Sequence, residues 1–103
     1  MPDWRYVANT DDIDEEDVIR VEVDGRVLAV YRLEDGFYAT DGTCTHADAC
    51  LSDGFVMDGF IECPLHQGRF EIRTGKAKSP PATEDLRTYE LKIEDARILV
   101  RLD

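Results

Sequence analysis

The sequence predicts a small all-β domain, an antiparallel sandwich or barrel, interrupted by a loop-rich insertion. Three observations predict it. Short runs alternate apolar and polar residues and are rich in β-branched side chains. Turn dipeptides such as Asp24-Gly25 separate them. No segment of useful length repeats with helical periodicity. The chain has 103 residues, so a single domain spanning 1–103 is expected. A chain of this size buries roughly two-thirds of its unfolded surface.

The elements follow in order. Trp4 and Tyr6 suggest the core face of an N-terminal strand. Residues 11–17 (DDIDEED) hold six acids in seven positions and read as a solvated lead-in. Val18–Val23 places Ile19, Val21 and Val23 on one face, with Arg20 and Glu22 opposite. Asp24-Gly25 then fits a type I′ hairpin, which needs positive φ at both central residues. Arg26–Leu33 returns with Val27, Ala29, Tyr31 and Leu33 on one face, and Glu34-Asp35-Gly36 turns into Phe37–Thr40. Near the C-terminus, Thr88–Ile93 and Arg97–Leu102 alternate again, joined by Glu94-Asp95-Ala96. If that last turn needs positive φ, Ala96 costs about 1 kcal/mol relative to glycine.

The stretch from about 41 to 81 differs. It holds five of the seven glycines, three of the four prolines and every Cys and His, so loops dominate it. Short strands are expected at Phe55–Met57, Phe60–Glu62 and Arg69–Ile72, with Gly54, Gly59 and Gly75 as turn positions.

Composition excludes several functions. Hydrophobic residues are 43% and charged residues 34%, a globular rather than a disordered profile. Twelve Lys and Arg face 23 Asp and Glu, a net charge of −11, which disfavours nucleic acid and anionic membranes as partners. A basic protein partner fits better, and the charge density favours a monomer. Arg69, Arg73, Lys76 and Lys78 follow one another closely, as a solvated face or a docking patch. No apolar run approaches the ~20 residues of a membrane span. The N-terminus, MPDWRYVANT, lacks the regions of a secretory signal. A cytoplasmic location is therefore expected, and three cysteines there do not read as a disulfide framework.

The cysteines point elsewhere. Cys44-Thr45-His46 is a C-x-H pair, and Cys63-Pro64-Leu65-His66 is a C-x-x-H pair. Sixteen residues separate the two pairs, and they contain the only histidines of the chain. Two thiolates and two imidazoles can hold one tetrahedral Zn²⁺. They can equally hold a [2Fe–2S] cluster in which two histidines replace two cysteines on one iron.

This pattern resembles the Rieske signature. The strings CTHADACLSDG (44–54) and CPLHQGRFEIRTGKA (63–77) are similar to the two cluster-binding loops of Rieske ferredoxins from bacterial ring-hydroxylating dioxygenase systems. The likeness extends over nearly the whole chain. It implies the Rieske fold and one [2Fe–2S] cluster, with Cys44 and Cys63 on the inner iron and His46 and His66 on the outer one. Pro80 and Pro81 match the loop that covers the cluster in that family. The role implied is that of an electron carrier, not an enzyme. It would take electrons from an NAD(P)H-dependent flavoprotein ferredoxin reductase and pass them to a terminal oxygenase acting on an aromatic or similar ring. Two other readings are a small subunit of an NAD(P)H nitrite reductase and a zinc-stabilised interaction module.

Departures from the family pattern narrow the subtype. High-potential Rieske proteins pair one extra cysteine from each loop. Here Leu65 stands at one such position, and Cys50 sits one residue past the other, so Cys50 reads as a small core residue. Gly68 and Phe70 stand where those proteins carry Ser and Tyr donors. Fewer donors leave the reduced cluster less stabilised, so a potential near the low end of the Rieske range is expected, around −150 mV. Both histidines are committed to the cluster, which leaves none for a mononuclear oxygen-activating iron. No dinucleotide-binding glycine motif is present.

Overall fold

The structure is a computed structural model that describes residues 4–44, 49–64, 68–79 and 84–102. Its strands are β1 (Trp4–Asn9), β2 (Asp17–Val23), β3 (Arg26–Leu33), β4 (Gly36–Asp41), β5 (Phe55–Met57), β6 (Phe60–Glu62), β7 (Arg69–Glu71), β8 (Ala77–Ser79), β9 (Thr88–Tyr89), β10 (Leu91–Glu94) and β11 (Arg97–Arg101). They form three antiparallel sheets among the described residues, ordered β1-β11-β10, β2-β3-β4-β9 and β5-β6-β7-β8. The all-β expectation holds. The only helical pieces among the described residues are 3₁₀ turns at Thr10–Asp12 and Leu51–Asp53.

The β2-β3-β4-β9 sheet is the middle layer, because β3 buries both of its faces. Leu28 and Val30 enter a core with Ala8, Ile13, Ala39, Ile98 and Val100, which closes the sandwich against the β1-β11-β10 sheet. Ala29, Tyr31 and Leu33 enter a second core with Leu51, Ile61, Phe70 and Ile72 from the insertion. The β2–β3 register keeps the two sets apart, with Val18 opposite Tyr31 and Ile19 opposite Val30. A strand covered on both sides reads as a continuous apolar run, which is why Leu28–Tyr31 lacks the clean alternation of a surface strand. Tyr31 is fully buried, and its hydroxyl meets the equally buried Thr40 hydroxyl at 2.8 Å. Burial pushes the Tyr31 phenol well above its ordinary range, and the Thr40 contact only partly offsets it.

Three two-residue turns share one geometry. Asp24-Gly25, Asp58-Gly59 and Asp95-Ala96 all have positive φ at both positions, as type I′ hairpins require. The acidic stretch is a solvated connection, as expected, anchored by Ile13 at 1% exposure. Within it the Asp12 carboxylate accepts from the Asn9 N–H at 2.9 Å.

Some expectations are corrected. Thr88–Ile93 is not one strand: β9 pairs with β4 while β10 pairs with β11, and Glu90 marks the change of sheet. Ile93 is consequently exposed. Tyr6 is not a core residue; it is 52% exposed and its hydroxyl donates to Asn9 Oδ1 at 3.0 Å. Trp4 is half-buried with the Lys92 ammonium 4.3 Å from its ring centroid. Strand β8 was not foreseen.

Ala96 sits at φ +63°, where an L side chain is strained. Replacing Ala96 with Gly is expected to stabilise the domain by about 1 kcal/mol, raising Tm by roughly 4–8 °C. Thermal unfolding followed by circular dichroism checks this, and an unchanged or lower Tm would contradict it.

Candidate metal centre

The site is built where β4 and β6 run out of their sheets. Beyond β4, the Gly42 N–H donates to the Val27 carbonyl at 2.9 Å, and Thr43 pairs with Cys50 in an isolated antiparallel bridge. The Cys44 N–H donates to the Ala49 carbonyl at 2.9 Å, and the Leu51 N–H to the Gly42 carbonyl at 2.8 Å. These bonds close a loop at its root, and residues 45–48 lie between the closed ends. The second loop is closed in the same way. The Cys63 N–H donates to the Gly68 carbonyl at 2.7 Å, immediately before Glu62 pairs with Arg69 in the β6–β7 ladder. In both loops, then, a cysteine N–H reaches the carbonyl five residues ahead.

Cys44 is 4% exposed and Cys63 1%, and both belong to the core that holds Tyr31, Leu51, Ile61 and Phe70. The structure thus brings together the two predicted cysteines, one from each motif, in a single apolar layer. His46 and His66 lie outside the described residues, as do Leu65, Pro80 and Pro81. All three cysteines lie among the described residues, and none is joined in a disulfide. Cys50 is half-buried at the start of a 3₁₀ turn and belongs to neither core, which corrects its assignment as a core residue.

The donor chemistry fits an iron–sulfur centre. A thiolate held in apolar surroundings is costly unless a cation compensates it, and a metal keeps a coordinating thiol deprotonated. Two buried cysteines with no disulfide between them, each at the root of a loop whose sequence carries a histidine, supply a matching soft and borderline ligand set. Phe70 is fully buried in the same core and Gly68 has no side chain, so neither offers a hydroxyl. Arg69, on the outer side of β7, is engaged with Glu62 at 3.1 Å.

The supports of the site were only partly foreseen. Leu51 and Leu86 are both buried in the core beneath the loops. Each is a single large apolar residue within a polar loop, and that isolation was the readable signal. The segment after residue 83 returns over the third sheet through the Leu86 N–H to the Gly75 carbonyl at 2.7 Å. Arg73 is not part of a free cationic patch. It forms a two-pronged pair with Asp35 at 2.9 and 3.1 Å and lies over the Tyr38 ring, tying the insertion to the β3–β4 turn. This pair holds the Asp35 carboxyl below, and the Arg73 guanidinium above, their ordinary ranges. Lys76 and Lys78 are solvated. At the other end of β4, Asp41 accepts from the Tyr89 hydroxyl at 2.5 Å. Burial, and next the Asp41 carboxylate, raise the Tyr89 phenol.

Comparison with known proteins is consistent over the whole chain. The family described as Rieske [2Fe–2S] domain matches residues 3–90. The ferredoxin component of the naphthalene 1,2-dioxygenase/salicylate 5-hydroxylase systems of a Ralstonia species is 49% identical over 100 residues, covering 97% of this chain and 96% of its own. A solved complex of reduced oxygenase and oxidized ferredoxin in carbazole 1,9a-dioxygenase contains a chain with 39% identity and a TM-score of 0.90, covering 95% of this chain and 92% of that one. The ferredoxin of carbazole 1,9a-dioxygenase from Nocardioides aromaticivorans IC177 superposes with a TM-score of 0.91 at 34% identity, covering 100% of this chain and 99% of its own.

The burial pattern predicts the thiol count. In the native protein a small thiol reagent is expected to label Cys50 alone, and all three cysteines after denaturation and removal of metal. Mass mapping of the labelled peptides reads this directly. Native labelling of Cys44 or Cys63 would contradict the buried layer.

Proposed function

Because the chain belongs to the Rieske [2Fe–2S] domain family, we propose that it is a one-electron carrier delivering electrons to the terminal oxygenase of a ring-hydroxylating dioxygenase system. Its relatives are ferredoxin components of such systems, and a similar chain is complexed with its oxygenase. Cys44 and Cys63 bind one iron through their sulfurs. His46 and His66 would hold the other through ring nitrogens. The burial of both cysteines in one layer, each at the root of a histidine-bearing loop, carries this assignment.

When bound, the cluster supplies a reversible one-electron couple. The chain's own residues do the rest. Tyr31, Leu51, Ile61 and Phe70 keep water from the sulfur side of the centre. Two loops rooted in hydrogen-bonded strands resist movement between redox states, which keeps reorganisation small. Two thiolates and two neutral imidazoles leave the oxidised centre neutral, whereas four thiolates would leave it doubly negative, so histidine ligation raises the potential. The lack of hydroxyl donors at Gly68 and Phe70 limits that rise, and a midpoint near −150 mV follows.

The electron source is a flavoprotein reductase using NADH or NADPH. The chain itself catalyses nothing, since both histidines serve the cluster. The excess of acids steers docking to basic faces on both partners. No helix among the described residues is long and apolar enough to cross a membrane. The proposed working form is a monomer in the cytoplasm.

Reconstitution with a ferredoxin reductase and a naphthalene-type oxygenase tests the proposal. Product is expected only with all three proteins present, and the rate is expected to fall steadily as ionic strength rises. Cys44→Ala and Cys63→Ala are expected to abolish both the iron–sulfur absorbance and turnover, while Cys50→Ser retains both. Turnover without this protein, or loss of the centre in Cys50→Ser alone, would contradict the assignment.

A further inference from the structure

Gly54 follows the 3₁₀ turn Leu51–Asp53 and immediately precedes β5. Its backbone is extended, with φ −91°, a conformation any residue adopts, so it does not serve as the expected turn glycine. Space is what requires it. A Cβ at this position would lie 2.0 Å from the Glu62 carbonyl oxygen, 3.1 Å from the Glu62 carbonyl carbon and 3.2 Å from the Leu51 carbonyl oxygen. These are backbone atoms, which cannot swing aside as the tip of a side chain can.

Neither neighbour is loose. Glu62 is paired on both sides, with Phe55 of β5 and Arg69 of β7. Leu51 is fully buried, and its N–H is held by the Gly42 carbonyl at 2.8 Å. The Gly54 N–H is itself bonded back to the Leu51 carbonyl at 2.9 Å. Relief of the clash therefore has to come from moving segment 50–54 away from β6. That segment carries the returning limb of the first loop, through the Cys50–Thr43 bridge next to Cys44. Glu62 is bonded directly to Cys63. The displacement falls between the two cysteines.

We infer that Gly54 is a positioning residue for the metal centre: its missing side chain sets the separation of the Cys44 and Cys63 loops. The inference rests on the ligand assignment proposed above. Gly54 acts through the close backbone contact it permits with Glu62 and Leu51. It couples the loops into one unit, so a change in either root is transmitted to the other.

The test compares Gly54→Ala with Gly59→Ala in the cluster-loaded protein. Gly59 has φ +83°, and a Cβ there meets the Arg73 guanidinium, so its substitution strains a turn away from the loop roots. Both variants are expected to lose thermal stability. Only Gly54→Ala is expected to shift the midpoint potential and the electron paramagnetic resonance g values of the reduced protein. An unchanged potential and unchanged g values in a folded Gly54→Ala protein would overturn the inference. Should that variant not fold, hydrogen exchange in the wild type decides. Peptides covering the Gly54 and Cys63 amides are expected to open together, and independent opening would overturn the coupling. A wild type without a mixed-ligand iron–sulfur signal would instead overturn the ligand assignment, so the two failures are distinguishable.

Discussion

Everything in this molecule depends on a strand that is buried on both faces. β3 is the middle of three layers, with one set of side chains closing the sandwich and the other forming the floor under the metal-binding loops. A one-residue slip in its register would turn Tyr31 toward the sandwich and Leu28 toward the loops. The alternation of large and small residues on β3 would then fit neither core. The buried Tyr31–Thr40 hydroxyl pair adds a polar lock, because a slip would leave the buried Tyr31 hydroxyl without its partner. The hairpins at either end of β3 fix the same register from outside.

The second core explains why a chain this small can hold a redox centre in place. Cys44 and Cys63 are part of the packed layer and not appendages of surface loops. Their N–H groups close the loop roots, so the residues proposed as ligands also fix the backbone on which they sit. The Arg73–Asp35 pair and the Leu86–Gly75 bond fasten the third sheet at positions away from the cysteines. Being exposed, the Arg73–Asp35 pair adds little stability of its own and acts through orientation.

Much of this was legible in the sequence, for identifiable reasons. Asp24-Gly25 is the strongest short hairpin signal available, and β2, which leads into it, alternates as expected. The two Cys/His pairs stand out as a candidate metal-binding set, because each histidine lies within three residues of a cysteine and the chain has no other histidines, and the structure brings their two cysteines into one core. Where reading failed, non-local packing decided. Thr88–Ile93 alternates without a break, yet its two halves pair in different sheets, and no local pattern reports a change of partner. Strand β8 exists because β7 offers it an edge. Tyr6 alternates correctly with Trp4, but the strand's shift in register between Tyr6 and Ala8 leaves it facing solvent. Gly54 looked like a turn glycine because a close approach between distant backbones leaves no local trace.

Magnetic resonance of the purified protein tests the central claim most directly, before and after reduction with dithionite. A centre held by Cys44, Cys63, His46 and His66 predicts silence as oxidised protein. On reduction it predicts a rhombic signal whose average g lies below that of all-cysteine [2Fe–2S] proteins. A colourless protein that stays silent on reduction and contains zinc would contradict the account and leave only the fold standing.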